Sequence, residues 1–248
     1  MDSDRNKLMV YLVGPITGYS FSEVAQWRRE FCADPPEGTI GIDPLRRRPE
    51  LATSEVIAGE YPTHRLASKD GILAQNKFDV SRSKAILANF LNKDRLSLGS
   101  VIELAWAFQQ WKRIVIAMEK GNPHDNSYIR SIANVVAETV DDARAALQQP
   151  LNGGPSRSRD WGMQSACEAV DREDIVLIDL ASEPGVPIMK IMKLAWANAL
   201  CKPVVVALPD NLPKGDLRGH PLIRACAPFV TKDRAEAEQL IADLRAYS

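Results

Sequence analysis

The chain reads as an α/β protein: a parallel sheet with helices on both faces, followed by a truncated duplicate of the same unit. Two observations carry that reading. Strand-length apolar runs alternate with helix-length periodic segments from residue 8 to about residue 148. The second half of the chain then repeats the first. Glu103-Leu-Ala-Trp-Ala107 matches Lys193-Leu-Ala-Trp-Ala197, and at the same offset, without a gap, Ala85-Ile-Leu faces Ile175-Val-Leu and Ile114-Val-Ile-Ala117 faces Val204-Val-Val-Ala207.

In chain order, Leu8 to Val13 (LMVYLV) is short, apolar and rich in β-branched residues, so it reads as a buried strand, and Gly14-Pro15 ends it. Ser20 and Glu23 are spaced as a capping box, Tyr19 and Val24 as its staple, and Val24, Trp27 and Phe31 continue at helical spacing. Gly41 to Leu45 reads as a second strand ending at Pro44, and residues 46–68 as a long loop with a short helix in it. A helix over Ile72 to Ser83 leads to the strand Ala85 to Phe90, and a helix over Ser100 to Trp111 leads to the strand Ile114 to Met118. A short helix, the strand-like Val135-Val136 and a helix from Asp141 to Gln148 close the unit. Gly153-Gly154-Pro155-Ser156 reads as a linker, which divides the chain into domains at 1–150 and 156–248. Tyr128-Ile-Arg130 pairs with Leu222-Ile-Arg224 after a small insertion, and the duplicate is expected to run roughly helix–strand–helix–strand–helix, without the first strand, first helix and second strand.

Bulk properties exclude several classes. With 248 residues and 45% hydrophobic content the chain can bury a sizeable core. A formal net charge of −1 gives no signal for a polymeric nucleic acid partner, and the run Arg46, Arg47, Arg48 is short enough to be a solvated loop. Cys32, Cys167, Cys201 and Cys226 are scattered and the three histidines isolated, which argues against zinc and for buried free thiols in a reducing cytosol. The polar start MDSDRNK is no signal peptide, and the apolar runs are too short for a membrane span, so a cytoplasmic location is expected. Neither a G-x-G-x-x-G nor a P-loop pattern is present, and no cofactor is expected.

Open parallel sheets bind ligands beyond the carboxyl ends of their strands. Three segments fall there: Gly14 to Gly18, Asn92 to Gly99, and Glu119 to Asn126. Glu103 follows the second of them, in the first turn of a helix beginning near Ser100. On spacing alone Ser100-x-x-Glu103 is a capping box in which the glutamate serves only the backbone, and Gly14 and Gly18 are ordinary turn glycines.

Four segments taken together go further. Val10-Tyr-Leu-Val-Gly-Pro-Ile-Thr-Gly18, Ser83-Lys-Ala-Ile-Leu-Ala-Asn89, Ser97-Leu-Gly-Ser-Val-Ile-Glu-Leu-Ala-Trp-Ala107 and Asn122-Pro-His-Asp125, in that order, resemble the nucleoside 2-deoxyribosyltransferase family and the related 2′-deoxynucleoside 5′-monophosphate N-glycosidases over about residues 8 to 148. The resemblance implies a flavodoxin- or Rossmann-like fold and a glutamate nucleophile at Glu103, working on the sugar C1′ as in retaining glycosidases. It implies that Tyr11 orients that glutamate. It likewise implies that Gly14, Pro15 and Ile16 line the base and sugar pocket, and that Ser97, Gly99, Asn122 and His124 belong to the substrate-binding segments. Serine at Ser97 tilts the substrate toward a nucleotide. The chain departs from the family pattern at Asn76 and Lys84, where aspartates are usual. Asparagine can hydrogen-bond a base but is no general acid, so Asp79, three residues on, is either its substitute or a solvated helix charge. The expected function is transfer or hydrolysis at the N-glycosidic bond of a nucleoside or nucleotide. The alternative is a degenerate family member that binds a nucleotide without turnover.

The duplicate is expected to be catalytically empty. Lys193 stands where Glu103 stands, and Pro187 and Met189 stand where Ser97 and Gly99 stand. Its retained Leu194-Ala-Trp-Ala197 face suits packing against the first unit as an intrachain pseudo-dimer, and the family resemblance implies homo-oligomers as well.

Overall fold

The computed structural model describes residues 7–46, 48, 51–52, 54–61, 65–149, 160–213 and 215–246. The expected linker at 153–156, the polar start at 1–6 and Arg47 lie outside the described residues. The first unit runs β1 (Leu8–Val13), α1 (Phe21–Ala33), β2 (Thr39–Ile42), α2 (Lys69–Arg82), β3 (Ala85–Asn89), α3 (Leu98–Gln109), β4 (Arg113–Ala117), α4 (Ser127–Ile132), β5 (Val135–Ala137) and α5 (Val140–Gln148). Its sheet is all parallel with the order β2-β1-β3-β4-β5, the flavodoxin-like order. β2 starts two residues earlier than expected, because Thr39 and Ile40 pair with Leu8 and Met9.

Side chains alternate across a strand, so β1 divides its residues between two layers. Val10 and Leu12 join Phe31 of α1 and Ala143 and Leu147 of α5 on one face. Tyr11 and Val13 face the other way, into the core built around α3. The Ser20–Glu23 capping box forms as expected. Leu45, Leu51 and Ile57 pack against Tyr19 and against Val24 of α1.

The second unit runs α6 (Trp161–Arg172), β6 (Val176–Asp179), α7 (Ile188–Ala199), β7 (Val204–Ala207), a 3-10 turn (Leu217–Gly219), α8 (Pro221–Cys226), β8 (Phe229–Thr231) and α9 (Arg234–Ala246), with a parallel sheet β6-β7-β8. It therefore extends the expected five elements by α8 and β8, whose brevity hid them from periodicity. The correspondence of the units holds to single bonds. Trp111 and Cys201 both take a left-handed conformation, φ 59° and 56°, which lets Lys112 N reach Ala107 O and Lys202 N reach Ala197 O, each at 2.9 Å.

The units meet through α3 and α7, flanked on one side by α2 with α8 and on the other by α4 with α6. Since α6 corresponds to α2 and α8 to α4, this is the reciprocal pattern of a two-fold interface. Trp106 and Trp196 are fully buried there, and Trp196 Nε1 donates to Ala105 O at 3.0 Å. Residues of both units form one continuous apolar core, and α9 covers the far face of the second sheet. Among the described residues no helix is long and apolar enough to cross a membrane. The cysteines depart from expectation. None of the four is in a disulfide, but only Cys167 and Cys226 are buried, while Cys32 and Cys201 are exposed at the ends of α1 and α7.

Candidate functional site

The strand order reverses between β1 and β3, which leaves a crevice at their carboxyl ends, the general ligand position in such sheets. A cavity of about 430 Å³ opens there, within the usual size for small-molecule sites. Its floor is Glu103. The helix that carries it is apolar nearly all round and, Gly99 apart, buried from Leu98 to Phe108, with Ser100 and Glu103 its only buried polar residues.

α3 begins at Leu98, so Glu103 lies in its second turn, and the N-cap is Ser97, whose Oγ accepts from Ser100 N at 3.3 Å. The expected Ser100–Glu103 capping box is thereby corrected: Glu103 caps nothing. Its Oε1 instead accepts two hydrogen bonds, from Tyr11 Oη at 2.9 Å and from Asn76 Nδ2 at 2.7 Å. Oε2 has no hydrogen-bond partner among the described residues. Burial pushes the Glu103 carboxyl up from the ordinary 4.5 to about 7. The Tyr11 hydrogen bond, the Arg28 charge and the Asn76 hydrogen bond pull the other way, and the Asp79 charge adds to the rise. Tyr11 is fully buried behind Glu103. Burial, with the adjacent carboxylate, holds its phenol well above its ordinary value, so it remains a donor.

Gly14, Pro15, Ile16, Asn76, Ser97 and Gly99 all line the cavity. Besides Tyr11, which lies behind Glu103, three other candidates do not. Asp79 is fully buried, with its carboxylate taken by Arg46 at 2.6 and 2.8 Å and by Arg82 at 2.9 Å, outside the cavity wall. It is neither a solvated charge nor an acid facing a ligand. Arg46 is accordingly an ion-pair partner rather than a solvated loop residue, and Arg48 lines the cavity. Asn122 and His124 form a layer beneath Ser97. His124 Nε2 accepts from Ser97 N at 2.9 Å, its Nδ1 meets Asn122 Oδ1 at 2.9 Å, and its ring stacks on Phe90 at 3.9 Å. Asn122 Nδ2 in turn donates to Phe90 O at 2.7 Å and Glu119 Oε1 at 2.9 Å. Burial pushes His124 down to about 4, so it is a neutral acceptor holding the start of α3.

The sequence missed two contributors. Arg28, fully buried, donates to Gly14 O at 2.9 Å, to Leu12 O at 3.3 Å and to Val24 O, pinning the turn after β1. Its readable signal was a cation set within the apolar Val24–Phe31 stripe. The second contributor is the duplicate itself. Asp216, Leu217, His220 and Leu222 supply one wall of the cavity, and the only trace in sequence was the insertion before Leu222. Their placement follows from the two-fold packing, which carries the segment before α8 over the first unit's crevice.

Among the described residues no group of three histidine, cysteine, aspartate or glutamate side chains is arranged to hold a metal ion. The arrangement offers one buried carboxylate with a held oxygen and an open one, two neutral donors that fix it, and a largely apolar cavity above it. No protein-family model and no curated protein matches the chain.

Proposed function

We propose that the chain transfers or hydrolyses at the N-glycosidic bond of a nucleoside or nucleotide, with Glu103 as nucleophile. The observation that carries this reading is the Glu103 carboxylate, buried at the cavity floor, with Oε1 bound by Tyr11 and Asn76 and Oε2 open. Oε2 attacks C1′, the C1′–N bond breaks with its electron pair leaving on the base, and a glycosyl ester forms. Water or a second base then attacks C1′ and releases Glu103. Tyr11 and Asn76 stabilise the carboxylate before attack and orient it. Asn76 therefore acts on the nucleophile and not on the leaving base.

The test is base release from the common 2′-deoxynucleosides and their 5′-monophosphates, followed by chromatography, with denaturing mass spectrometry of quenched samples for the glycosyl adduct. Release that vanishes in Glu103→Gln supports the reading, and no release from any of these compounds sinks it. Because attack needs the ionised form, kcat/KM rises with pH through about 7. A rate that falls through that range would make Glu103 an acid instead.

One observation favours the second reading, a nucleotide-binding protein without turnover. The other described carboxylate in the cavity wall, Asp216, is committed to Arg218 at 2.7 Å, which leaves no acid to protonate a departing base. Tight binding without base release would select it.

A further inference from the structure

The insertion before α8 has no counterpart in the first unit, and it is built as a rigid element. Arg218 NH1 donates to Leu180 O at 3.2 Å and to Glu183 O at 3.0 Å, both just beyond the carboxyl end of β6. Asp216 caps the 3-10 turn through Arg218 N at 2.9 Å and grips the same guanidinium. Arg218 thus ties the loop before α8 to the carboxyl end of β6, and the same loop lines the first unit's cavity. At the other end of that loop Pro221 comes within 3.4 Å of where a Cβ on Gly59 would stand, opposite Thr17.

His220 is the polar side chain that this loop delivers to the cavity wall. Its Nδ1 accepts from Leu222 N at 3.2 Å, which puts the ring proton on Nε2, and Nε2 has no hydrogen-bond partner among the described residues. The ring lies over α3, with Cε1 at 3.9 Å from where a Cβ on Gly99 would stand. Gly99 and Glu103 are four residues apart on one helix face, about 6 Å along the axis. Resting on the reading of Glu103 given above, we propose that His220 of the second unit is a base-contacting residue, donating Nε2–H to an acceptor on the heterocycle of a nucleoside whose C1′ sits at Glu103.

The chemistry of the wall fits a heterocycle. Leu217 and Leu222 flank the imidazole with apolar surface. Burial pushes His220 down to about 4, so it offers a donor without charge, suited to a ring nitrogen or carbonyl. A base has the reach from C1′ to cover one helical turn. The second unit, which has lost its own carboxylate, then selects the substrate of the first.

The experiment is calorimetric titration of the full chain with 2′-deoxyadenosine, 2′-deoxyguanosine, 2′-deoxycytidine and thymidine. The tightest binder is then compared with analogues in which each base acceptor in turn is replaced by C–H. His220→Asn keeps an N-cap for α8 but loses the Nε2 donor. Expected is a loss of about tenfold in affinity for the natural nucleoside, and no loss for one particular analogue. Equal weakening for every analogue, no weakening at all, or no binding by the wild type overturns the proposal. A readout that needs no variant is the ¹⁵N signal of the histidine side chains, in which His220 Nε2 moves on titration and His124 stays. A stationary His220 signal overturns the proposal equally. His220-dependent binding without base release would overturn the glycosidic reading alone, and base release that ignores His220 would overturn this inference alone.

Discussion

Burial and hydrogen bonding act on the Glu103 carboxyl in opposite directions. Its folded-state carboxyl is raised to about 7 from 4.5, so the stability it contributes is full below about pH 4.5 and is lost as pH rises through 7. The whole change is on the order of 3 kcal/mol. Thermal melts of the wild type should therefore fall across that window more steeply than those of Glu103→Gln. The same substitution should cut kcat on the order of 10⁴-fold or more while sparing ligand binding. Tyr11→Phe removes a donor to the carboxylate, so the rising limb of the pH–rate profile moves to higher pH and the rate at pH 7 drops about tenfold. An unmoved profile would mean that Tyr11 only fills space. Asn76→Asp tests the departure from the family pattern. At 2.7 Å from Glu103 Oε1 a second carboxylate must share a proton with it. The rate at pH 7 should fall and the profile shift alkaline. Faster base release at pH 7 would instead show that the site lacks only an acid.

At the scale of elements, the site depends on how tightly β1 and β3 end. A Cβ on Gly14 would lie 2.8 Å from the backbone oxygen of Asn89 and 3.1 Å from Arg28 NH2. The first is main chain within a paired strand end and cannot swing away. Gly14→Ala should then cost about 1–3 kcal/mol in denaturant unfolding and weaken ligand binding with it. An alanine variant of wild-type stability would mean that the turn after β1 is looser than the Arg28 hydrogen bonds to Leu12 O and Gly14 O imply. The start of α3 is fixed from below by the Ser97–His124–Asn122 chain. Its two histidine nitrogens are both engaged and its ring is stacked on Phe90, so it reads as scaffolding for Ser97 and not as a ligand contact.

At the scale of the molecule, the duplicate has two roles, one mechanical and one in the cavity. Residues 1–150 expressed alone would expose the α3 face that carries Trp106 and Phe108, both fully buried in the whole chain, and would open the cavity on one side. Size-exclusion chromatography should find that fragment self-associated or insoluble, and calorimetry should find it unable to hold nucleosides. A monomeric fragment with full affinity would deny the duplicate both roles. The duplicate's lost carboxylate fits this division. Its helix α7 keeps the packing face Leu194 to Ala197, while Arg218 is bound just beyond the carboxyl end of β6.

The sequence by itself determined the layered α/β fold, the truncated duplication and the segments that converge at the carboxyl ends of β1 and β3. These follow from local apolar periodicity and from direct self-match, which need no tertiary knowledge. It also brought Glu103, Asn76, Gly14 and Ser97 to one place through the family resemblance. Only the tertiary structure decided what each one does there. Whether Glu103 serves a helix end or a cavity turns on the α3 cap lying at Ser97, three residues before Ser100, and on Tyr11 arriving from a strand 92 residues away. Asp79 and His124 have the residue types of a site but are claimed by Arg46 and Ser97, partners that no spacing rule connects to them. His220 was invisible because its place over Gly99 depends on a two-fold packing of whole units. Such packing is set by the summed burial of α3 against α7, not by any residue near His220 in the chain.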